Sequence, residues 1–286
     1  MTQSQKYASL GFSGQHMKFP IDRLFGMISG APNSGKSTLF QSNPDAFIFN
    51  LDVSSTVSPN PVACIWPGIS PEGQACDVDG SQFKLTWKSV IDKYRQLMDL
   101  AGSKSPRPSI VVIDSLGAII NLAKENVMKE WQKDSWRELD GRAGWDTVYD
   151  GILRLAFSLR NAGYGVFFSC HIINSVIQLG DDRWVEKNQL SITSGFWKRF
   201  YQYIEFSAVI HPETSFIERK EPDTTKTVQG REIRIPGKSV QEKVQQRVLT
   251  TTDDAYEGIT KSRVEIERLV IPRSDSWQAL ADAYNS

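Results

Sequence analysis

Apolar residues recur along the chain in two patterns, which are short unbroken runs and longer stretches with helical spacing. The unbroken runs predict buried strands at residues 24–29, 46–52, 110–114, 165–171 and 204–211. Helical spacing predicts helices at 36–41, 83–101, 146–161, 196–203 and 275–284, and in part of 116–136. Because strands alternate with helices, we expect an α/β fold with a mostly parallel central sheet and helices on both faces.

The pattern changes toward the two ends of the chain and in two internal segments. Residues 1–20 are polar and predict an N-terminal lead-in, which leaves 21–286 as the folded domain. From residue 213 onward, short strand-like segments at 231–235, 247–251 and 264–266 predict C-terminal β-hairpin elements, with 213–250 as a hairpin insertion. Residues 54–80 predict a loop, and 173–191 a loop or a short hairpin.

Composition changes this picture mainly by exclusion. The 286 residues contain 33 Lys+Arg and 33 Asp+Glu, and this zero net charge argues against a globally basic nucleic-acid or membrane binder. The three cysteines are too few and too far apart for a disulfide framework or a zinc site. Since no signal sequence and no membrane-length apolar run is present, we expect a soluble cytoplasmic protein without a membrane partner.

Eight residues between the first predicted strand and the first predicted helix fit the phosphate-binding pattern G-x-x-x-x-G-K-[ST] in full. They are Gly30, Ala31, Pro32, Asn33, Ser34, Gly35, Lys36 and Ser37. Such a loop curls so that successive N–H groups face an anion, and the helix that follows adds its positive end. We expect Lys36 to reach the β- and γ-phosphates, Ser37 to bind Mg²⁺, and Thr38 to lie near the α-phosphate. The predicted ligand is ATP with Mg²⁺; the strand and helix on either side argue against a chance match.

Three polar residues are expected at the carboxyl edge of the sheet. Asp114 follows four β-branched residues and is predicted to be the second Mg²⁺ anchor, unless it simply begins a turn. Asp52, which we expect on a strand beside the P-loop strand, could orient the attacking water or merely cap its strand. His171 could sense the γ-phosphate and signal to the loop that follows, or be a structural histidine.

Together these motifs resemble the RecA-like ATPase core over residues 24–271. More narrowly, they resemble the phage-type RecA-like proteins grouped as AAA_24 nucleotide-binding domains, which include single-strand-annealing recombinases. Ser115 follows Asp114 where AAA+ and packaging-motor ATPases usually have Glu, which favours the RecA-like group. That group usually has Glu where this chain has Asp52. The shorter side chain implies slow hydrolysis, or ATP serving mainly as an assembly switch.

The resemblance extends to Lys261-Ser262-Arg263, which is similar to a K-x-R element placed on a late strand in RecA-like rings and filaments. In those relatives the two basic residues reach the γ-phosphate of the neighbouring subunit. The resemblance therefore implies a homo-oligomer in which Lys261 and Arg263 act in trans on the transition-state charge. The alternative is a pair of solvated basic residues on a strand edge.

Single-stranded DNA binding is also implied only by the resemblance, through loops at 124–142 and 174–187. The first segment interleaves basic and aromatic residues, which suits backbone neutralisation and base stacking. These residues are Lys124, Lys129, Lys133, Arg137, Arg142, Trp131 and Trp136. Nearby acidic residues balance the charge, so a solvated amphipathic helix explains the same pattern. The second segment is nearly neutral, with Asp181, Asp182 and Glu186 against Arg183 and Lys187, and it offers Trp184 for stacking.

Three functions follow from these observations. The first is an ATP-hydrolysing, phage-encoded recombination or annealing protein that works as an oligomer on single-stranded DNA. The second is an ATP-binding assembly component with little hydrolysis and no role on DNA. The third, a small-molecule P-loop kinase, requires an Arg-rich lid; it ranks last because residues 219–234 have the pattern of a hairpin.

Overall fold

The computed structural model describes residues 19–53, 62–77, 79–139, 141–179, 183–220, 224–228, 231–235, 239–252, 256, 258–272 and 274–286. The predicted lead-in at 1–20 lies outside the described residues up to residue 18. Residues 54–61 of the predicted loop at 54–80 also lie outside them.

The strands and helices alternate through the first two thirds of the chain. The strands are β1 (Phe25–Gly30), β2 (Ala46–Asn50), β3 (Cys64–Trp66), β4 (Gly68–Ile69), β5 (Ala75–Cys76), β6 (Ile110–Asp114), β7 (Gly165–Leu179), β8 (Arg183–Leu190), β9 (Phe206–Lys220), β10 (Thr224–Val228), β11 (Arg231–Ile235), β12 (Ser239–Thr250) and β13 (Leu269–Ile271). The helices are α1 (Lys36–Gln41), α2 (Trp87–Gly102), α3 (Leu116–Glu130), α4 (Gly141–Asn161), α5 (Ser194–Tyr201) and α6 (Ser276–Asn285), with 3₁₀ turns at Ile21–Arg23 and Trp136–Glu138.

The main sheet has the strand order β13-β12-β9-β1-β7-β6-β2-β3, with β8 added to β7. Every pair from β9 to β3 is parallel, and β12 and β13 add an antiparallel edge. The predicted α/β class with a mostly parallel sheet is therefore confirmed. The expectation that β2 lies beside β1 is wrong, because β7 and β6 separate them. Apolar runs identify buried strands but do not give the order in which crossovers place them.

Helices cover both faces of this sheet, and two apolar clusters fill the spaces between. On one face, Phe25 and Met27 of β1 are fully buried beneath helices α2 to α5. On the other face, Ile28 packs with residues of α1 and α6, among them Leu39 and Trp277. Burying each such side chain stabilises the fold by about 1.5–3 kcal/mol. None of the helices in the described part of the chain is long and apolar enough to cross a membrane.

Two long antiparallel ladders extend the parallel sheet. β7 continues past the sheet and pairs with β8 from Ile172↔Leu190 to Leu179↔Arg183, so the described residues of the segment 173–191 form the two strands of a hairpin. β9 and β12 pair from Val209↔Thr250 to Lys220↔Ser239, and β10 pairs with β11 between them. These are the predicted hairpin elements.

The prediction of a strand at 264–266 is wrong, because the structure describes these residues and they form no strand. Ile266 instead donates its N–H to the Thr251 hydroxyl at 2.8 Å and accepts the Thr251 N–H at 2.9 Å. The nearby strand begins at Leu269, where the backbone meets β12.

Candidate nucleotide-binding site

The P-loop connects β1 to α1 and depends on glycine at two positions. Gly35 has a φ of 100° and precedes the first residue of α1, which is a backbone conformation that other residues rarely adopt. Gly30 lies against the neighbouring strand β9, where a methyl group would collide with the Ile210 carbonyl oxygen. The strand, turn and helix predicted at 24–29, 30–35 and 36–41 are thus present to within one residue.

Lys36 is folded over this loop and is only 5 % exposed. Its ammonium donates to the carbonyl oxygens of Gly30 at 2.9 Å and Ala31 at 2.8 Å, and weakly to Ser34 Oγ at 3.5 Å. Burial lowers the pKa of Lys36, and the charge of Asp114 opposes that shift. A partly desolvated cation that binds neutral oxygens attracts an incoming phosphate strongly.

A hydroxyl and a carboxylate lie together beside Lys36. Ser37 Oγ donates to Asp114 Oδ2 at 2.7 Å, and Ser169 Oγ donates to Asp114 Oδ1. Asp114 is 5 % exposed, so its carboxylate is fixed in the floor of the site. In the described part of the chain no cluster of three His, Cys, Asp or Glu side chains occurs. One carboxylate and one hydroxyl fit Mg²⁺, which keeps several waters and takes its remaining ligands from phosphates.

Asp52 and His171 meet at the same edge of the sheet. Asp52 lies in the turn two residues after β2, and His171 is the register partner of Gly30. His171 Nε2 is 3.4 Å from Asp52 Oδ2, and this hydrogen bond holds the pKa of Asp52 below its usual range. His171 Nδ1 is buried without a hydrogen-bond partner among the described residues. The pair places a deprotonated carboxylate where it can orient a water.

Comparison with known proteins identifies the family of this chain. Residues 23–264 match the family model AAA_24, described as an AAA domain. The chain belongs to the AAA_24 family. Its P-loop and its family together make it a P-loop nucleotide-binding protein.

Other comparisons add little to the family match. The flagellar accessory protein FlaH from Methanocaldococcus jannaschii is similar at 10 % identity and a TM-score of 0.35, over 95 % of this chain and 92 % of that one. A TM-score of this size carries no argument. No curated protein matches the sequence.

Two serines contribute to this candidate site and were not predicted as parts of it. Ser169 interrupts an apolar run on β7, and this single small polar residue was the available signal. Ser115 was used only to compare this chain with AAA+ and packaging-motor ATPases, which usually have Glu after the corresponding Asp. Ser115 caps α3 by accepting the Ala118 N–H at 3.3 Å, and after His171 its side chain also contributes to lowering the pKa of Asp52. The Asp114–Ser115 peptide bond is cis.

Lys261 and Arg263 are not brought to the P-loop of their own chain. Lys261 forms an isolated bridge to Ser207, which lies level with Met27, about 10 Å from Gly30 along the strand direction. Its ammonium donates to the Tyr201 carbonyl oxygen at 3.0 Å, and burial lowers its pKa. Arg263 is exposed in a bend rather than on a strand. Their action in trans stays a prediction.

The segment predicted to bind DNA at 124–142 uses part of its aromatic surface internally. Trp136 packs edge-on against Trp145 at 4.9 Å, and Lys124 Nζ lies 4.9 Å above the Trp136 ring. Trp131, at the end of α3, is 38 % exposed. In the second segment, Asp181 and Asp182 lie outside the described residues, as does the side chain of Trp184.

Proposed function

We propose that this AAA_24 protein binds ATP with Mg²⁺ at its P-loop and hydrolyses it. The observation that carries the proposal is the 2.7 Å hydrogen bond from Ser37 to Asp114 beside the buried Lys36. It supports a metal and phosphate site built from residues of β1, α1 and β6. The Asp52–His171 pair on the same edge supports hydrolysis in addition to binding.

Each residue has a distinct task in this proposal. Lys36 and the loop N–H groups bind the phosphates, while Ser37 and Asp114 would hold Mg²⁺. The metal supplies charge neutralisation on the phosphate oxygens when it is bound. Asp52 orients the attacking water and accepts its proton, and His171 positions the Asp52 carboxylate and contacts the γ-phosphate.

ATP binding and phosphate release, each with Mg²⁺ and with EDTA, test this proposal. We expect Lys36→Ala to lose both ATP binding and phosphate release. We expect the wild-type protein to release phosphate only when Mg²⁺ is present. Lys243→Ala, at an exposed position on β12, controls for the loss of a lysine. Because Lys36 is buried, its replacement can affect folding, and a melting curve shows whether each variant folds. ATP binding that survives Lys36→Ala in a folded protein would contradict the P-loop assignment.

We further propose that the protein acts as a homo-oligomer on single-stranded DNA in recombination or annealing, in the cytoplasm of a phage-infected cell. Two observations support a link between ATP and a nucleic acid. The β7–β8 hairpin leaves the sheet directly at His171, whose carbonyl oxygen accepts the Ser191 N–H at 2.8 Å. Trp131 is exposed near the exposed Lys133, a combination that suits base stacking and phosphate contact. The free cysteines suit a reducing compartment.

The measurement that tests this extension is ATP turnover with and without single-stranded DNA, over a range of salt. We expect stimulation that weakens with salt and is reduced in Trp131→Ala. If DNA neither binds nor stimulates while ATP changes the assembly mass, the second function, a nucleotide-dependent assembly protein, replaces it. Asp52 favours that alternative, because its side chain is shorter than the Glu usual in RecA-like proteins and implies slow hydrolysis. The kinase is not favoured, because the described residues of 219–234 lie largely in strands and not in a lid.

Oligomeric action has its own test. If Arg263 acts in trans, mixing Arg263→Ala with Lys36→Ala subunits creates some interfaces in which both residues are intact. We expect partial recovery of turnover in the mixture. Absence of recovery despite proven co-assembly would contradict the trans role.

A further inference from the structure

Arg247 lies on the antiparallel edge of the sheet and points toward the P-loop. It is on β12, where its register partners are Pro212 of β9 and Ile271 of β13. Leu249, two residues further along, is buried in the cluster that includes Leu39 of α1. Because side chains alternate along a strand, Arg247 projects on the same face, the one that carries α1.

The guanidinium of Arg247 reaches the backbone of Gly35. A methyl group at Gly35 would lie 2.5 Å from Arg247 Nη1 and 2.7 Å from its Cδ, so the side chain packs directly on this glycine. On its other side, Nη2 donates to the Pro272 carbonyl oxygen at 3.0 Å. The cation is therefore held beside the residue that precedes Lys36.

The strand order shows which end of a bound nucleotide Arg247 would meet. Asp114 is on β6, two strands from β1 on one side, and Arg247 is on β12, two strands from β1 on the other side. If Ser37 and Asp114 hold Mg²⁺ as proposed, the γ-phosphate end of a bound nucleotide would lie toward Asp114. Arg247 would therefore approach the opposite end of the phosphate chain.

We propose that Arg247 is a nucleotide-binding residue, contributed in cis, that contacts the α-phosphate end of the triphosphate. The inference rests on the proposed ATP binding at the P-loop. A guanidinium suits this role because its planar donors pair with phosphate oxygens in a bidentate manner. Since ADP keeps the α- and β-phosphates, the contact stabilises ATP and ADP alike and differs little between ground and transition states.

The experiment compares Arg247→Gln, Arg247→Lys and the control Arg268→Gln. Arg268 is exposed on the same edge of the sheet and pairs with Glu213 at 3.0 Å, so it controls for loss of a nearby positive charge. We expect Arg247→Gln to weaken ATP and ADP binding by about 10- to 100-fold, in Kd and KM more than in kcat. Arg247→Lys keeps the charge and should recover part of the affinity. The dependence of affinity on salt should be shallower in Arg247→Gln.

Three results separate this inference from its alternatives. Wild-type affinity for both nucleotides in Arg247→Gln overturns it. Weaker binding that is matched by lower melting of the ligand-free protein, with the salt dependence unchanged, also overturns it, because Arg247 would then only brace Pro272 against the P-loop. A wild-type protein that binds neither nucleotide overturns the proposed function itself.

Discussion

Replacing Asp52 by Asn separates hydrolysis from binding and from stability. The carboxylate is the proposed base, and loss of a general base lowers rates by about 10²–10⁴-fold. This corresponds to roughly 3–5 kcal/mol in the barrier. Asn keeps the size of the side chain and can still hydrogen-bond His171, so we expect ATP affinity to change little.

The structure limits how far the same substitution can destabilise the fold. The Asp52–His171 contact is long, at 3.4 Å, and each side chain is 35 % exposed. A pair so accessible to solvent contributes at most about 1 kcal/mol. For a domain of this size the melting temperature then falls by no more than about 2–4 °C. Unfolding therefore cannot explain a hundredfold loss of turnover.

The assay is phosphate release at saturating ATP, with nucleotide affinity and melting temperature measured on the same samples. Asp92→Asn is the matched control, because Asp92 forms an exposed ion pair with Arg95 on α2, away from the site. Asp52→Glu tests reach, since it restores the residue usual in RecA-like relatives; we expect it to retain or exceed wild-type turnover. Turnover of Asp52→Asn within about threefold of wild type would refute the assignment of Asp52 as the base.

The remaining predictions concern pH, the metal, a glycine and a thiol. Because the pKa of Asp52 is lowered in the folded protein, its carboxylate is fully ionised above about pH 4 and is protonated only as the pH falls through that lowered pKa. The ratio of wild-type to Asp52→Asn turnover should therefore be constant from about pH 5.5 to 8.5. A ratio that falls toward acid pH would contradict this. Ser37→Ala should raise the Mg²⁺ needed for half-maximal turnover at least about tenfold, and an unchanged Mg²⁺ titration would count against the metal site. Gly30→Ala should lower stability by about 1–3 kcal/mol, measured by melting, because its methyl group meets the Ile210 carbonyl; an unchanged melt would refute that contact. Burial raises the pKa of Cys170 to about 12, so iodoacetamide at pH 8 should modify it only after denaturation, whereas exposed Cys64 reacts in the folded protein; labelling of Cys170 at the Cys64 rate would contradict its burial.

Local signals in the sequence predicted the elements of the fold better than their arrangement. The run 110–114 predicted β6 with its observed bounds, since an unbroken β-branched segment is consistent only with a buried strand or a short buried helix. The neighbours of β2 could not be predicted in this way, because sheet order depends on crossovers that leave no local pattern. The continuation of β7 to Leu179 was predicted only through one of two alternatives, a short hairpin at 173–191, since its pairing with β8 depends on a partner further along the chain.

The same distinction applies to the site. Lys36 and Ser37 were predictable because the P-loop pattern fixes their chemistry at the start of α1, and Asp114 was predictable because it ends an unbroken buried strand. Ser169 and Arg247 were not predictable, because each reaches the site only through a contact across the sheet. No spacing along the chain relates Arg247 to Gly35, which are joined only through the edge order β12-β9-β1.

The length of β7 makes the β7–β8 hairpin a stiff lever that extends from the sheet at His171. Residues 172–179 extend about 26 Å beyond His171 as one unbroken strand, stiffened by its pairing with β8. A tilt of about 5° at His171 would move the far end by about 2 Å over that length. A displacement too small to disturb the packing around the P-loop would thus be large enough at the tip to make or break a contact with another molecule.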